Sequence, residues 1–400
     1  MKFLIVVVLC FISWKQSVGE SYEQYDSPPL HPPVSEEDKE TSSSLIVNRF
    51  RKDPYEGEDK LALIRSGKFS LVHVEMSSDE SVIGQFCEFN YEMQRLDPSL
   101  APRFIDLHQT SHCLEHLVSL PLYEVSKACR EEDIREDSMT HSIPLQTFIF
   151  HQPKSGSSLL TNIISVSQPQ SRVVSDSYAI GNILECHNAC TREGKIKALQ
   201  EAVYLLGRTS EVKKSNQFLY IKVPSENIAG LPIVLEAFPD SSWLFVNRNA
   251  GVILQKFMNH KVHHRMCDVK KRRNPGTLLS DYLVTTGKHE MSTFGSPEQI
   301  CAAYLASHMN LVAHLLSTQS FPRGLLVDYD HDLLTLDGID RILKFLHIQP
   351  DWHRIEMQRK KKANDGFGHE WIGENDLSLS LQVQAATIEF FHEIDMASAS

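Results

Sequence analysis

Lys154, with Pro153 before it and Ser155, Gly156, Ser157 and Ser158 after it, heads the residue set in this 400-residue chain best suited to chemistry. An ammonium, three hydroxyls and a glycine in succession suit an anion with several oxygens. Lys154 brings full charge, Ser157 and Ser158 bring donors, and Gly156 lets the backbone close around the ligand. Thr147 to Phe150 is an uncharged β-branched and aromatic run that reads as a buried strand, and apolar residues return at helical spacing from Leu159. Strand, tight loop and helix N-terminus in that order aim free backbone N–H groups and the positive end of a helix dipole at one point. The loop is not GxxxxGK[ST], because the Lys precedes the Gly. It reads as a phosphate cradle for a nucleotide-type ligand, or as an incidental polar turn ahead of a helix.

The surrounding pattern favours the cradle. From Leu145 strands and helices alternate: strands at Arg172 to Ser175, Gln217 to Val223, Trp243 to Val246 and Leu325 to Val327, helices at Lys195 to Leu206, Leu231 to Phe238, Pro297 to Leu316 and Ile339 to Leu346. Such alternation predicts an α/β fold, a parallel sheet flanked by helices. Ligands of such sheets sit beyond the carboxyl ends of the strands, where Lys154, Asp176, Lys222 and Arg248 all fall. Upstream, residues 45–140 are mixed: a strand at Phe69 to Val74, a helix from Ser81 to Leu96 and another at Leu122 to Cys129. They read as an α+β extension packing on the core of 141–400, there to cover the sheet or shape an acceptor site.

A net charge of −11 argues against a general nucleic-acid binder, so an anionic ligand must be met by basic residues placed one by one. Met1-Lys2, the apolar run Phe3 to Trp14 and the small residues Ser17-Val18-Gly19 read as a signal peptide over 1–19. Its twelve apolar residues reach about 18 Å as a helix, against a hydrocarbon core of about 30 Å. Residues 20–44, rich in Pro, Glu and Ser, read as a disordered linker or stem, and no later segment is expected to span a bilayer. The mature chain is therefore expected in the secretory pathway (Golgi lumen) or secreted, where cysteines pair. Without Cys10 seven cysteines remain, so at least one is free or intermolecular. Cys113 with Cys129, and Cys186 with Cys190, are candidate pairs, and the connectivity stays open.

Pro153-Lys154-Ser155-Gly156-Ser157-Ser158-Leu159 resembles the PKSGTT-type 5′-phosphosulfate loop of the P-loop sulfotransferases. The likeness continues in Phe238-Pro239 and Trp243-Leu244-Phe245-Val246-Asn247-Arg248-Asn249. It extends to Leu325-Leu326-Val327-Asp328-Tyr329-Asp330 with the helix that follows. This resemblance implies 3′-phosphoadenosine 5′-phosphosulfate (PAPS) as co-substrate, no metal, and in-line transfer of a sulfuryl group to a hydroxyl or, less readily, an amine. The acceptor would be a small molecule, a peptide or a glycan. Lys154 would contact the bridging oxygen and 5′-phosphate, Ser155, Gly156, Ser157, Ser158 and Leu159 would form the cradle, Arg248 would meet the 3′-phosphate, and Asp176 would act as base. Two departures stand out. Lys256 occupies the position of the family's 3′-phosphate Ser, as a cationic substitute or as a weakness. The family's Lys-Thr-His segment reads Ile221-Lys222-Val223-Pro224-Ser225, without a His. The alternative is therefore a secreted binding protein that keeps the fold without turnover.

Other groups read more simply. The basic stretch from Lys256 to Arg273 is an acceptor-attracting rim or a solvated loop. His260, His263 and His264 read as a solvated cluster rather than a metal site, and Asp330 and Asp332 read as a turn and helix start. Arg359 to Lys362 stand where the family often supplies late basic residues to the 3′-phosphate, but its glycine pattern is missing here, which leaves the role open.

Overall fold

The computed structural model describes residues 55, 57–77, 81–100, 103–110, 113, 116–186, 190–212, 217–259, 277–285, 296–317, 323–360 and 379–391. All of them belong to the compact unit 53–400. The predicted leader, the stem, the basic and histidine-rich stretch 260–273, and Lys361 and Lys362 lie outside the described residues.

The first layer runs through α1 (Lys60–Arg65), β1 (Phe69–Met76), β2 (Val82–Glu88), α2 (Glu92–Leu96), α3 (Phe104–Thr110), β3 (Val118–Pro121) and α4 (Leu122–Asp133). Its strands form an antiparallel meander with β2 in the middle. The helix expected over Ser81 to Leu96 is thus corrected: Val82 to Glu88 is strand and helix begins at Glu92. Pairing with β1 and β3 satisfies both backbone edges of β2, a non-local gain that outweighs helical spacing. Cys87 pairs with Cys113, so the pairing of Cys113 with Cys129 is also corrected, and Cys129 is a buried free thiol. Cys186 and Cys190 are bonded, as is Cys301. A buried polar network docks this layer on the core. Arg208 donates to Ile64 O at 2.9 Å and to Asp133 Oδ1 at 3.1 Å, and the Tyr204 hydroxyl donates to Asp133 Oδ2 at 2.6 Å.

The core continues with β4 (His141–Ser142), β5 (Leu145–His151), α5 (Ser157–Ser167), β6 (Arg172–Ser175), α6 (Tyr178–Glu185), α7 (Arg192–Gly207), β7 (Arg208–Thr209) and β8 (Leu219–Lys222). It ends with α8 (Leu231–Ala237), β9 (Ser242–Asn247), α9 (Ala250–Asn259), α10 (Thr277–Thr285), α11 (Pro297–Ser317), β10 (Gly324–Asp328), α12 (Leu336–Phe345), α13 (Trp352–Lys360) and α14 (Leu381–Phe391). Five strands make a parallel sheet in the order β10-β9-β5-β8-β6, as the alternation predicts. Period-two alternation divides their side chains. Ile149, Val173, Tyr220 and Leu244 pack toward Leu160, Ile163 and Ile164 of α5. Phe148, Val174, Ile221 and Trp243 belong to the larger core that takes in α6, α7 and the first layer. From β5 the chain goes first to β6 and β8 on one side and only later to β9 and β10 on the other. The carboxyl end of β5 is therefore the topological switch point, where such sheets leave a crevice.

The expectation that no segment past the leader could span a bilayer overlooks α11, whose 21 residues and mean hydropathy of 1.3 suffice by length and composition. Residues such as Cys301, Leu305, Met309 and Val312 are buried among other helices, so α11 is a core helix.

Candidate active site

Alternation along β5 puts His151 on the same side as Ile149, facing α5, and the chain then turns sharply. Gln152 N donates to Val246 O at 2.9 Å and Gln152 Nε2 to Leu305 O at 3.3 Å, which pins the loop to β9 and α11. Lys154 and Gly156 both take left-handed backbone angles, φ 61° and 84°. Glycine is required at 156 twice over: by that angle, and because a Cβ there would lie 2.1 Å from Cδ2 of Tyr329. Gly156 caps α5 without any side-chain bond, which leaves first-turn N–H groups for a ligand or solvent. Lys154 is exposed and makes no ion pair among the described residues. Ser155 is fully buried and its hydroxyl has no hydrogen-bond partner; Ser157 is buried, while Ser158 and Leu159 are half-buried.

The ends of β6 and β8 complete the arrangement. Asp176 follows β6 at φ 58°, and its N–H donates to Lys222 O at 2.9 Å. Lys222, only 2% exposed, places Nζ 2.7 Å from Asp176 Oδ2, and His151 Nε2 lies 3.5 Å from Asp176 Oδ1. Burial pushes the Asp176 carboxyl up, but the Lys222 ammonium and the His151 ring outweigh it and hold the group at about 2. Around this trio Gln152 Oε1, Ser155 Oγ, Ser175 Oγ, Ser177 Oγ, Asp176 Oδ1 and His151 Nε2 are buried without hydrogen-bond partners. A folded chain rarely leaves so many polar atoms unsatisfied in one place, and each costs about 1–3 kcal/mol. Such a cluster suits a polar ligand that would satisfy several of them together.

Arg248 lies just past β9, beside β5. Its side chain is 1% exposed, the guanidinium carbon sits 4.4 Å from the Tyr329 ring centre, and Nη2 is 4.0 Å from Asp330 Oδ1. Tyr329 stands between Arg248 and Gly156, so one ring links the two predicted phosphate sites. Lys256 is half-buried on α9, whose principal packing partners are α11 and α14. Asp330 and Asp332 sit in the turn their reading expects: Asp330 N and His331 N donate to Asp328 Oδ1, and Asp332 Oδ2 accepts from Asp328 N at 2.8 Å. Arg359 donates to Glu356 and to Leu334 O, a structural use of its guanidinium.

Sequence reasoning placed Lys154 and Asp176 at the same sheet end and missed His151, Gln152, Ser175 and Ser177. The signal was present for His151, two residues beyond Ile149 on the same strand face. A cleft of about 420 Å³ lies at the opposite end of the sheet, near Lys68, Tyr91, Arg95 and Arg172, away from these groups. Among the described residues no group of three or more His, Cys, Asp or Glu side chains could hold a metal ion.

No protein-family model matches the chain, and no curated protein matches it. Among solved structures it is similar to a sulfotransferase domain from the curacin biosynthetic pathway, at 13% identity over 63% of this chain and 99% of that one, TM-score 0.35. It is also similar to a sulfotransferase domain from a Synechococcus olefin synthase (14%, 63% and 96%, TM-score 0.34). A third is a sulfotransferase from Mycobacterium tuberculosis (9%, 67% and 82%, TM-score 0.35).

Proposed function

We propose that this chain is a sulfuryl transferase that takes its group from PAPS and passes it in line to a hydroxyl or amine. The observation that carries the reading is the cluster of buried, unpartnered polar atoms beside the open N-terminus of α5 and the free ammonium of Lys154. The residues fit a phosphosulfate end. Left-handed turns at 154 and 156, the orphaned Ser155 hydroxyl and the uncapped first turn all offer donors, and Lys154 adds charge. Bound there, PAPS would supply an activated sulfonate. Ser155, Gly156, Ser157, Ser158 and Leu159 would hold its 5′ end, Lys154 would stabilise negative charge on the leaving oxygen, and the acceptor would enter beside Asp176. Arg248 and Lys256 are the candidates for its 3′-phosphate.

The second reading, a binding protein without turnover, is favoured by one observation: Arg248 is buried with Asp330 Oδ1 4.0 Å away, and Asp330 would have to give way to a phosphate. The disulfides Cys87–Cys113 and Cys186–Cys190 support a luminal or secreted location, and the acceptor there would be a small molecule, peptide or glycan. Titration calorimetry with adenosine 3′,5′-bisphosphate tests both readings. Micromolar binding is expected, and no measurable heat removes both. Transfer of labelled sulfate from PAPS to a panel of sterols, phenols, tyrosyl peptides and polysaccharides then separates them: product with any acceptor excludes the binding-only reading.

A further inference from the structure

The geometry points to His151, rather than Asp176, as the group that takes the acceptor's proton, with Asp176 and Lys222 holding the imidazole ready. The inference rests on the transferase reading and adds to it a residue that the resemblance does not supply.

His151 Nδ1 lies 2.9 Å from its neighbour's carbonyl, Gln152 O. A carbonyl only accepts, so Nδ1 carries a proton, and in the neutral ring Nε2 is left as the lone pair. Nε2 is buried, has no hydrogen-bond partner and faces Asp176 Oδ1, which has none either, across 3.5 Å. A lone pair opposite a carboxylate oxygen is a place for one more proton. A hydroxyl at the apex of that pair can donate to Nε2, and the imidazolium that results meets the carboxylate. Asp176 is poorly suited to the task itself, because Lys222 at 2.7 Å stabilises its charged form. A carboxyl held at about 2 is roughly four orders of magnitude less basic than an ordinary imidazole.

The charged and titratable groups around the ring come from several elements. Asp176 stands after β6, Lys222 ends β8, and Lys154 belongs to the ring's own loop. Arg103, before α3, and Tyr178 of α6 share an electrostatic neighbourhood with Asp176. His308 lies on α11 close in sequence to Leu305, whose carbonyl accepts from Gln152. In the step itself the acceptor O–H bond breaks and its proton goes to His151 Nε2. The oxygen's electron pair forms the new O–S bond to the sulfonate donor. The S–O bond to the donor's phosphate breaks, and that electron pair leaves on the phosphate oxygen beside Lys154. The imidazolium returns its proton to solvent once product departs.

The test uses the full secreted chain with its disulfides intact and has two arms. The first is ¹⁵N NMR of histidine-labelled protein across pH 5–9, with the His151 signal assigned by its loss in His151→Gln. The neutral ring should be the Nδ1–H tautomer, as its 2.9 Å contact with Gln152 O requires. An Nε2–H tautomer overturns the proposal. The second arm is the pH dependence of kcat/KM. The native chain should lose activity tenfold per pH unit along an acid limb. His151→Gln should abolish that limb and lower kcat by roughly 10²–10⁴-fold, with adenosine 3′,5′-bisphosphate affinity unchanged. A variant that turns over with its acid limb intact removes this proposal and leaves the transferase reading standing. A native chain that binds no adenosine 3′,5′-bisphosphate removes both.

Discussion

Replacing Lys222 by Met isolates the electrostatics on which the site is built. Lys222 is 2% exposed and its ammonium lies 2.7 Å from Asp176 Oδ2, whose side chain is 25% exposed. Methionine keeps most of the volume and leaves a largely buried carboxylate with only the His151 ring beside it. Breaking a buried pair from one side costs about 3–5 kcal/mol, because the remaining charge stays desolvated. At pH 7 the urea midpoint should fall by about 1–2 M for an m-value of about 2–3 kcal/mol/M. The pH dependence has a definite sign. In the native chain the carboxyl is depressed from 3.8 to about 2. Its contribution, about 2 kcal/mol, is complete above pH 3.8 and is lost as pH falls toward 2. Without Lys222, burial dominates and the carboxyl rises, so protonation then favours the folded state. The gap between variant and native chain should therefore narrow from pH 7 to pH 4. Lys222→Met combined with Asp176→Asn should recover most of the loss, since a neutral pair carries no stranded charge. A single variant within about 1 kcal/mol of native at pH 7, or a double variant no better than the single, would refute the reasoning.

Lys154→Asn removes the exposed ammonium while keeping a residue that tolerates φ 61°, so sulfate transfer should fall by roughly 10²–10³-fold with an unchanged melting temperature; full activity would remove Lys154 from the mechanism. Gly156→Ala forces a methyl to within 2.1 Å of the Tyr329 ring at φ 84°, and thermal unfolding should report a loss of about 1–3 kcal/mol, an unchanged midpoint contradicting the close approach. Replacing Cys87 and Cys113 by Ser opens a loop with a sequence separation of 26 and should cost about 3.5 kcal/mol, against about 2 for Cys186 and Cys190, separated by 4. Equal losses in denaturant titrations would contradict that ordering.

What the sequence determined by itself was local. The run Thr147 to Phe150, the polar loop and the apolar residues from Leu159 are decided by neighbours a few positions away. They fold as the strand, turn and helix N-terminus their composition predicts. Repetition of that unit was enough for the parallel sheet, and the sheet for placing Lys154 and Asp176 at one end. Tertiary structure decided whatever depends on which distant segments meet. Val82 to Glu88 became a strand because β1 and β3 offered both edges, and Cys113 found Cys87 because the meander brought them to a Cα separation of 5.5 Å. Strand order, with β8 between β5 and β6, is what seats Lys222 against Asp176 and brings His151 to the same carboxylate. It also decided the surroundings of Arg248, the residue the resemblance assigns to a phosphate, whose guanidinium carbon sits 4.4 Å from the Tyr329 ring centre. Side-chain type sets what a group can do, but its protonation and reach are set by the dielectric and partners around it, and those come from chain segments far apart in sequence.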